Sequence, residues 1–254
     1  MSGFWQQCLE SFQPEALGGT LYRIVESQKI IATNQLVDDR HEQQLLEELL
    51  EKSKPRINQK LEKIATGLDY LLWTPFRYPP LKYGSRFSTR FESSLFYAAR
   101  KITTVLAEAA YYRFFFWSGM SVPPPSACLD TQHTVFSAKI FTNAGAKLNA
   151  APFEDQQDVL TDKSDYQHSQ ALGQRLRELG VKAFEYVSAR DLQAGLNVAL
   201  FSPEVFKSKS PESFVQLVCS TCGEEVVFLD ERNNKFVFPR NDFLVAGAFP
   251  QPAG

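Results

Sequence analysis

Apolar and polar residues repeat at two different periods along this chain, and the period changes several times. In "DDRHEQQLLEELLEKSKP" Leu45, Leu46, Leu49 and Leu50 recur at helical spacing and form one stripe on an otherwise charged helix. Asp38 or Asp39 is the expected N-cap, and Pro55 lies beyond the end. The pattern from about residue 4 to 65 reads as helical, which predicts a helical N-terminal extension over residues 1–65 and a domain over residues 66–254. At "YLLWTPFRYPPLKYGSRFSTRFESSLFY" prolines, glycine and aromatics replace it with short strands and turns, "SSLFY" being a strand. A helix over roughly 100–117 follows, with Ile102, Leu106, Ala109 and Arg113 in its core stripe, and stops at the proline-rich "SGMSVPPPSACLD".

"HTVFSAKIF" then alternates at period two, with Val135, Ser137, Lys139 and Phe141 on one side. "DYQHSQALGQRLRELG" is an amphipathic helix ended by Gly180. "AFEYVS" and "NVALFSP" read as buried strands, and "SFVQLVCS", "EEVVFLDE" and "KFVFP" as the closing strands. Helices and strands in mixed order, with few regular β–α alternations, predict an α+β fold of mixed small sheets with flanking helices, not a doubly wound sheet.

One carboxylate in this pattern is hard to place. Glu108, in "TTVLAEAAYYRF", is flanked by Leu106, Ala107, Ala109 and Ala110, where an unpaired buried charge is costly. At 100° per residue it falls well off the centre of the helix's core stripe, at the margin of the packed face, where a cleft has room to open. Arg86 in "YGSRFS" and the strand-ending Tyr97 precede it at equal intervals of eleven (86, 97, 108). A second polar cluster, "EYVSARD", ends an apolar strand with Ser188, Arg190 and Asp191, and the next strand opens with Asn197. Strand ends are where loops assemble sites on a rigid scaffold. Taken singly, Glu108 reads as a helix residue paired with Arg113 or Lys101, Arg86 as a surface ion pair and Tyr97 as core. Only the ordered set argues for a site.

Composition narrows the classes. Apolar residues make up 44% and charged residues 22%, with a formal charge of −2, so the chain has no global attraction for nucleic acid or anionic membranes. No apolar run spans a bilayer, the N-terminus lacks a secretory pattern, and four cysteines do not make a disulfide scaffold. The expectation is a soluble cytoplasmic protein with reduced thiols. Cys219 and Cys222 form a CxxC, but a structural zinc site wants four ligands, and Cys8 and Cys128 stand singly in the sequence. A chance CxxC at a hairpin turn and no metal are expected; the rival reading is a non-enzymatic, zinc-stabilised binding module. His41, His133 and His168 have no partners at motif spacing and read as structural or exposed. No GxGxxG follows a strand and no glycine-rich lysine loop occurs, which argues against a Rossmann dehydrogenase or a P-loop enzyme.

The ordered motifs resemble the RES-domain family, the toxin halves of Xre–RES toxin–antitoxin pairs. They are "GSRF" with Arg86, "SLFY" with Tyr97, "LAEAAYYRF" with Glu108 and "YVSARD...GLNVALFSP" with Ser188, spanning about residues 70 to 206. The family's usual "GRWN" is "SRFS" here, and the N-terminal extension lies outside the common domain. The family's earlier arginine corresponds to Arg77 in "TPFRYP" or Arg23 in "LYRIV"; Arg77, directly before the motif block, is preferred. The resemblance implies a fold related to ADP-ribosyltransferases and an NAD+ phosphorylase or glycohydrolase, or alternatively an ADP-ribosyltransferase acting on a protein. It implies that Glu108 stabilises an oxocarbenium-like sugar and that Arg86, with Arg77, clamps the pyrophosphate or an attacking phosphate. Tyr97 then stacks on nicotinamide or bonds a ribose hydroxyl, Ser188 positions phosphate or ribose, and Asn197 contacts NAD+. NAD+ is a substrate, inorganic phosphate a co-substrate in phosphorolysis, and no cofactor is retained. The implied partner is an Xre-type antitoxin that covers the site of a toxin homodimer within a hetero-oligomer.

Overall fold

A computed structural model of the chain describes residues 3–27, 40–55, 59–122 and 124–251. Its strands are β1 (Glu15–Glu26), β2 (Phe96–Ala99), β3 (Cys128–Lys147), β4 (Ala183–Val187), β5 (Leu196–Leu200), β6 (Ser213–Cys222), β7 (Glu225–Asp230) and β8 (Lys235–Pro239). They form one sheet in the order β1-β2-β5-β4-β3-β6-β7-β8. Because β1 pairs with β3 as well as β2, the run from β1 to β3 closes on itself, and β6 to β8 continue from the other edge of β3. The length of β3, 20 residues, allows this: it takes β6 antiparallel over 128–137, β1 antiparallel over 133–145 and β4 in parallel at 145–147.

The helices are α1 (Gln6–Ser11), α2 (Arg40–Ser53), α3 (Gln59–Ala65), α4 (Tyr70–Trp73), α5 (Ile102–Ser118), α6 (Gln157–Leu160) and α7 (Gln167–Glu178). A mixed sheet with flanking helices is the expected α+β arrangement. Leu61 of α3 and Leu72 of α4 pack with Leu21, Phe96 and Phe136. Leu172 and Leu176 of α7 pack with Phe87, Phe184 and Ala199. Helix α5 starts after an extended Lys101, ends at Gly119, and packs Leu106, Ala110 and Phe114 against Val135, Leu217 and Phe228. Its buried face therefore runs through Ala110 and Phe114, not through Ala109 and Arg113, because strands meet the helix on more than one side. No described helix is long and apolar enough to cross a membrane.

Residues 15–26, expected within a helical extension, form β1 instead. "EALGGTLYRIVE" buries Leu17 and Leu21 and pairs with β3 from Glu15↔Gly145 to Glu26↔His133, so pairing with the sheet decides the conformation of this stretch. The predicted helices survive as α1, α2 and α3, but Leu45, Leu49 and Leu50 of α2 are exposed, so that leucine stripe does not face the core. Asp38 and Asp39 lie outside the described residues.

The thiols also differ from expectation. Cys128 and Cys222 stand opposite each other on β3 and β6, with Cα atoms 4.4 Å apart, and form a disulfide. Cys128 is therefore not isolated: it lies 94 residues from its partner in sequence and adjacent to it in space. Cys222 is committed to that bond, and Cys219 is buried beside Thr221, so the CxxC does not act as a pair.

The turn carrying residues 84–88 is seated on α7 at Gly173, where an added Cβ would lie 2.0 Å from the Phe87 carbonyl oxygen. Backbone cannot yield as a flexible side chain does. Gly173→Ala should therefore cost about 2–3 kcal/mol in urea unfolding despite the better helix propensity of alanine. The exposed Gln174→Ala should be nearly neutral, and equal stability of the two variants would refute this close approach.

Candidate functional site

A cleft of about 300 Å³ opens where β1, β2, β5 and α5 meet the 84–88 turn. Its lining includes Arg23, Arg86, Tyr97, Glu108, Arg190 and Asn197. Helix α5 carries Glu108 at the half-buried margin of its packed face, and β4 and β5 run antiparallel so that Ser188 and Asn197 reach it together. The Ser188 hydroxyl and the Asn197 amide each donate to Glu108 Oε1 at 2.6 Å. Glu108 Oε2 has no hydrogen-bond partner among the described residues, so one oxygen is fixed by the protein while the other is unclaimed. Ser188 Oγ also accepts from the backbone N–H groups of Arg190 and Asp191, both at 3.1 Å, which holds the residue at the strand end.

The expected lone carboxylate is thus neither a surface ion pair nor buried without partners. It forms no ion pair with Arg113 or Lys101 among the described residues. Arg113 instead donates to Thr221.

Tyr97 and Arg86 come together through the turn. Gly84 adopts φ +76, and an added Cβ would meet the Ser88 carbonyl at 2.3 Å, so glycine permits the tight approach that begins the turn. The Tyr97 hydroxyl shares a 2.8 Å hydrogen bond with Ser85 and accepts from the Phe87 N–H at 3.3 Å. Burial pushes its pKa up to about 12, so it stays a protonated phenol at neutral pH. Arg86 donates to the carbonyls of Leu160 and Asp162 and lies 4.5 Å from the centre of the Tyr166 ring.

Arg77 is not in the cleft. Its guanidinium donates to the Pro55 carbonyl at 2.8 Å and pairs with Glu51 at 2.7 Å. Arg23, the alternative to it, lines the cleft. On β1 it lies on the same side as the buried Leu17 and Leu21, packs over Phe96 at 4.7 Å and donates to the Tyr97 carbonyl at 2.6 Å. Arg23 Nε is buried without a partner, and no carboxylate pairs with this side chain among the described residues. Burial lowers its pKa to about 10, which still leaves it charged at neutral pH.

Tyr112, Tyr166 and Tyr186 also line the cleft without a signal read from the sequence, and so does Arg190, which the sequence placed in the polar cluster after β4 but gave no role. A signal existed for two of them. Tyr112 is four residues after Glu108, hence one turn along the same helical face, and Arg190 is two after Ser188. The arrangement is one oriented carboxylate among arginines that lack acid partners and tyrosines that supply flat faces. It suits an anionic ligand whose bound part develops positive charge at one atom.

A family model of the RES domain matches residues 60–219. No curated protein matches the chain at a significant level. Among solved structures, a chain of the M. tuberculosis MbcT–MbcA toxin–antitoxin complex is similar at 10% identity, over 83% of this chain and 90% of that chain, with a TM-score of 0.46.

Proposed function

Because the chain belongs to the RES-domain family, we propose that it cleaves the nicotinamide–ribose bond of NAD+ and acts as the toxin of a toxin–antitoxin pair. The observation that carries the chemistry is Glu108, held through Oε1 by Ser188 and Asn197 in a cleft otherwise supplied with cations and tyrosines. Nicotinamide in NAD+ already bears a positive charge. When its C–N bond breaks, the bonding pair goes to the ring nitrogen and nicotinamide leaves neutral, so no general acid is needed. One carboxylate then suffices where most glycosidases use two.

Glu108 Oε2 meets the ribose hydroxyls and stabilises the oxocarbenium-like charge as it forms. Arg23 and Arg86 hold phosphate through planar donor forks. Tyr97, kept protonated, donates to a ribose hydroxyl or stacks on nicotinamide. The cleft volume suits the nicotinamide-ribose half of the molecule, with the rest lying towards its mouth. The sugar cation is then captured by inorganic phosphate, giving a ribose-1-phosphate linkage, or by water, giving ADP-ribose and a proton.

An enzyme that consumes NAD+ in its own cell needs restraint, and the family resemblance supplies an Xre-type antitoxin covering the cleft. Expression of the chain alone should arrest growth with a fall in NAD+, and co-expression with its antitoxin should restore growth. The direct test is incubation of the purified protein with NAD+, with and without phosphate, and mass-spectrometric identification of products. Free nicotinamide plus ADP-ribose or its phosphate adduct is expected. Intact NAD+ after prolonged incubation would refute the proposal.

A further inference from the structure

The chemistry above gives Arg190 no task, although it is the cleft arginine most removed from water, at 3% exposure. Its guanidinium carbon lies 3.6 Å from the centre of the Tyr111 ring. That ring is itself fixed, stacked on Phe249 and donating its hydroxyl to the Pro250 carbonyl. Arg190 Nη2 donates to the Lys163 carbonyl at 2.8 Å and to the Tyr166 hydroxyl at 3.1 Å. Nη1 is buried with no partner.

Asp162 feels the charge of Arg190, but no carboxylate forms an ion pair with it among the described residues. Asp191 accepts from Thr104 and from the Gln193 N–H, and Asp162 accepts from the N–H groups of Ser164 and Asp165. A desolvated guanidinium with unspent N–H donors is costly unless an anion completes its set. Arg86 lies over the face of the same Tyr166 whose hydroxyl Arg190 holds, so one tyrosine joins two cations that share the influence of a single carboxylate, Asp162, and form no ion pair with it. Like charges so placed favour an anion that both can reach.

We propose that Arg190 Nη1 is a ligand for a phosphoryl oxyanion and that it forms, with Arg86 across Tyr166, an anion subsite separate from Arg23 on β1. The ligand's identity rests on the NAD+-cleaving reading: the phosphoryl group belongs to the pyrophosphate of the dinucleotide or is the free phosphate acceptor. Arg190 is then a specificity-determining residue. Its Nη2 is spent on Lys163 and Tyr166, so the anion meets Nη1, whose two N–H donors are fixed in the guanidinium plane held over Tyr111 in a way that a flexible lysine ammonium is not.

The test is calorimetric titration of the full chain with inorganic phosphate alone and with ADP-ribose alone, for the parent, Arg190→Gln, Arg190→Lys and Tyr166→Phe. Arg190→Gln should weaken one of these ligands by about tenfold or more. Arg190→Lys should recover only part of that, and Tyr166→Phe, which removes an anchor but leaves Nη1, should lose much less. Loss confined to ADP-ribose assigns the subsite to the pyrophosphate; loss for inorganic phosphate assigns it to the acceptor. Should the variants unfold, the guanidinium NMR resonance of Arg190 in the parent protein must shift on adding one of the two ligands. Unchanged affinity for both ligands in a folded Arg190→Gln, or no shift in the parent, would overturn the subsite. NAD+ cleavage persisting alongside that result would leave the proposed activity standing. Arg190-dependent phosphate binding in a protein that never cleaves NAD+ would instead remove the activity and keep the subsite.

Discussion

Glu108→Gln should slow single-turnover NAD+ cleavage by about a hundredfold or more while changing NAD+ affinity much less. Glutamine has nearly the same shape, and its amide oxygen can occupy the Oε1 position, accepting from Ser188 and Asn197 as the carboxylate does. The protein side of the site is therefore preserved. What changes is the unclaimed end, where an anionic acceptor becomes a neutral donor just where positive charge develops on the sugar. The ground state, whose ribose is uncharged, senses this less than the transition state. Rapid-quench cleavage and binding titrations on the same samples separate the two effects. A variant cleaving at the parent rate would reduce Glu108 to a structural carboxylate and remove the mechanism.

Arg23→Met should weaken NAD+ binding by about tenfold to a hundredfold, whereas Arg77→Met should leave it unchanged. Methionine preserves the apolar packing over Phe96 but removes the charge and its buried, unpartnered donor. Arg77 faces Glu51, whose side chain is largely exposed, and its loss touches nothing in the cleft. A pH signature accompanies this. With a pKa of about 10, Arg23 is charged below that value and neutral above it. Affinity should decline as pH rises through about 10, and Arg23→Met should lack that component. Equal binding losses in the two variants, or a larger loss in Arg77→Met, would return the early arginine of the motif to residue 77.

The contrast between those two arginines shows where reading the sequence succeeds and where it stops. Glu108 at the edge of a helix, Tyr97 at a strand, Arg86 after a tight glycine turn, and Ser188 and Asn197 at strand ends were legible as positions because local spacing carries them, and as one set through the resemblance of their order to the RES-domain motifs. Helix α7 and the strands from β4 to β8 were legible for the same reason, since periods of 3.6 and 2.0 are properties of neighbouring residues.

What stayed hidden depends on residues far apart in sequence. "LYRIVE" looked continuous with the helical segments around it. Pairing Arg23 with Phe136 across β1 and β3 makes it a strand and carries Arg23 to the cleft, while Arg77 is drawn away to Pro55 and Glu51. Cys128 stands alone in the sequence, and only the pairing of β3 with β6 sets it against Cys222. Arg190 passed as one polar residue in a cluster until Tyr111 and Tyr166 enclosed it. The sequence determined the longer helices α2, α5 and α7, most strands and an ordered set of polar side chains, because each follows from short-range periodicity and turn chemistry, whereas α4 forms where short strands and turns were expected. Only the tertiary structure decided which arginines lose their acid partners and face one carboxylate, because closure of the sheet and burial of charge depend on long-range packing.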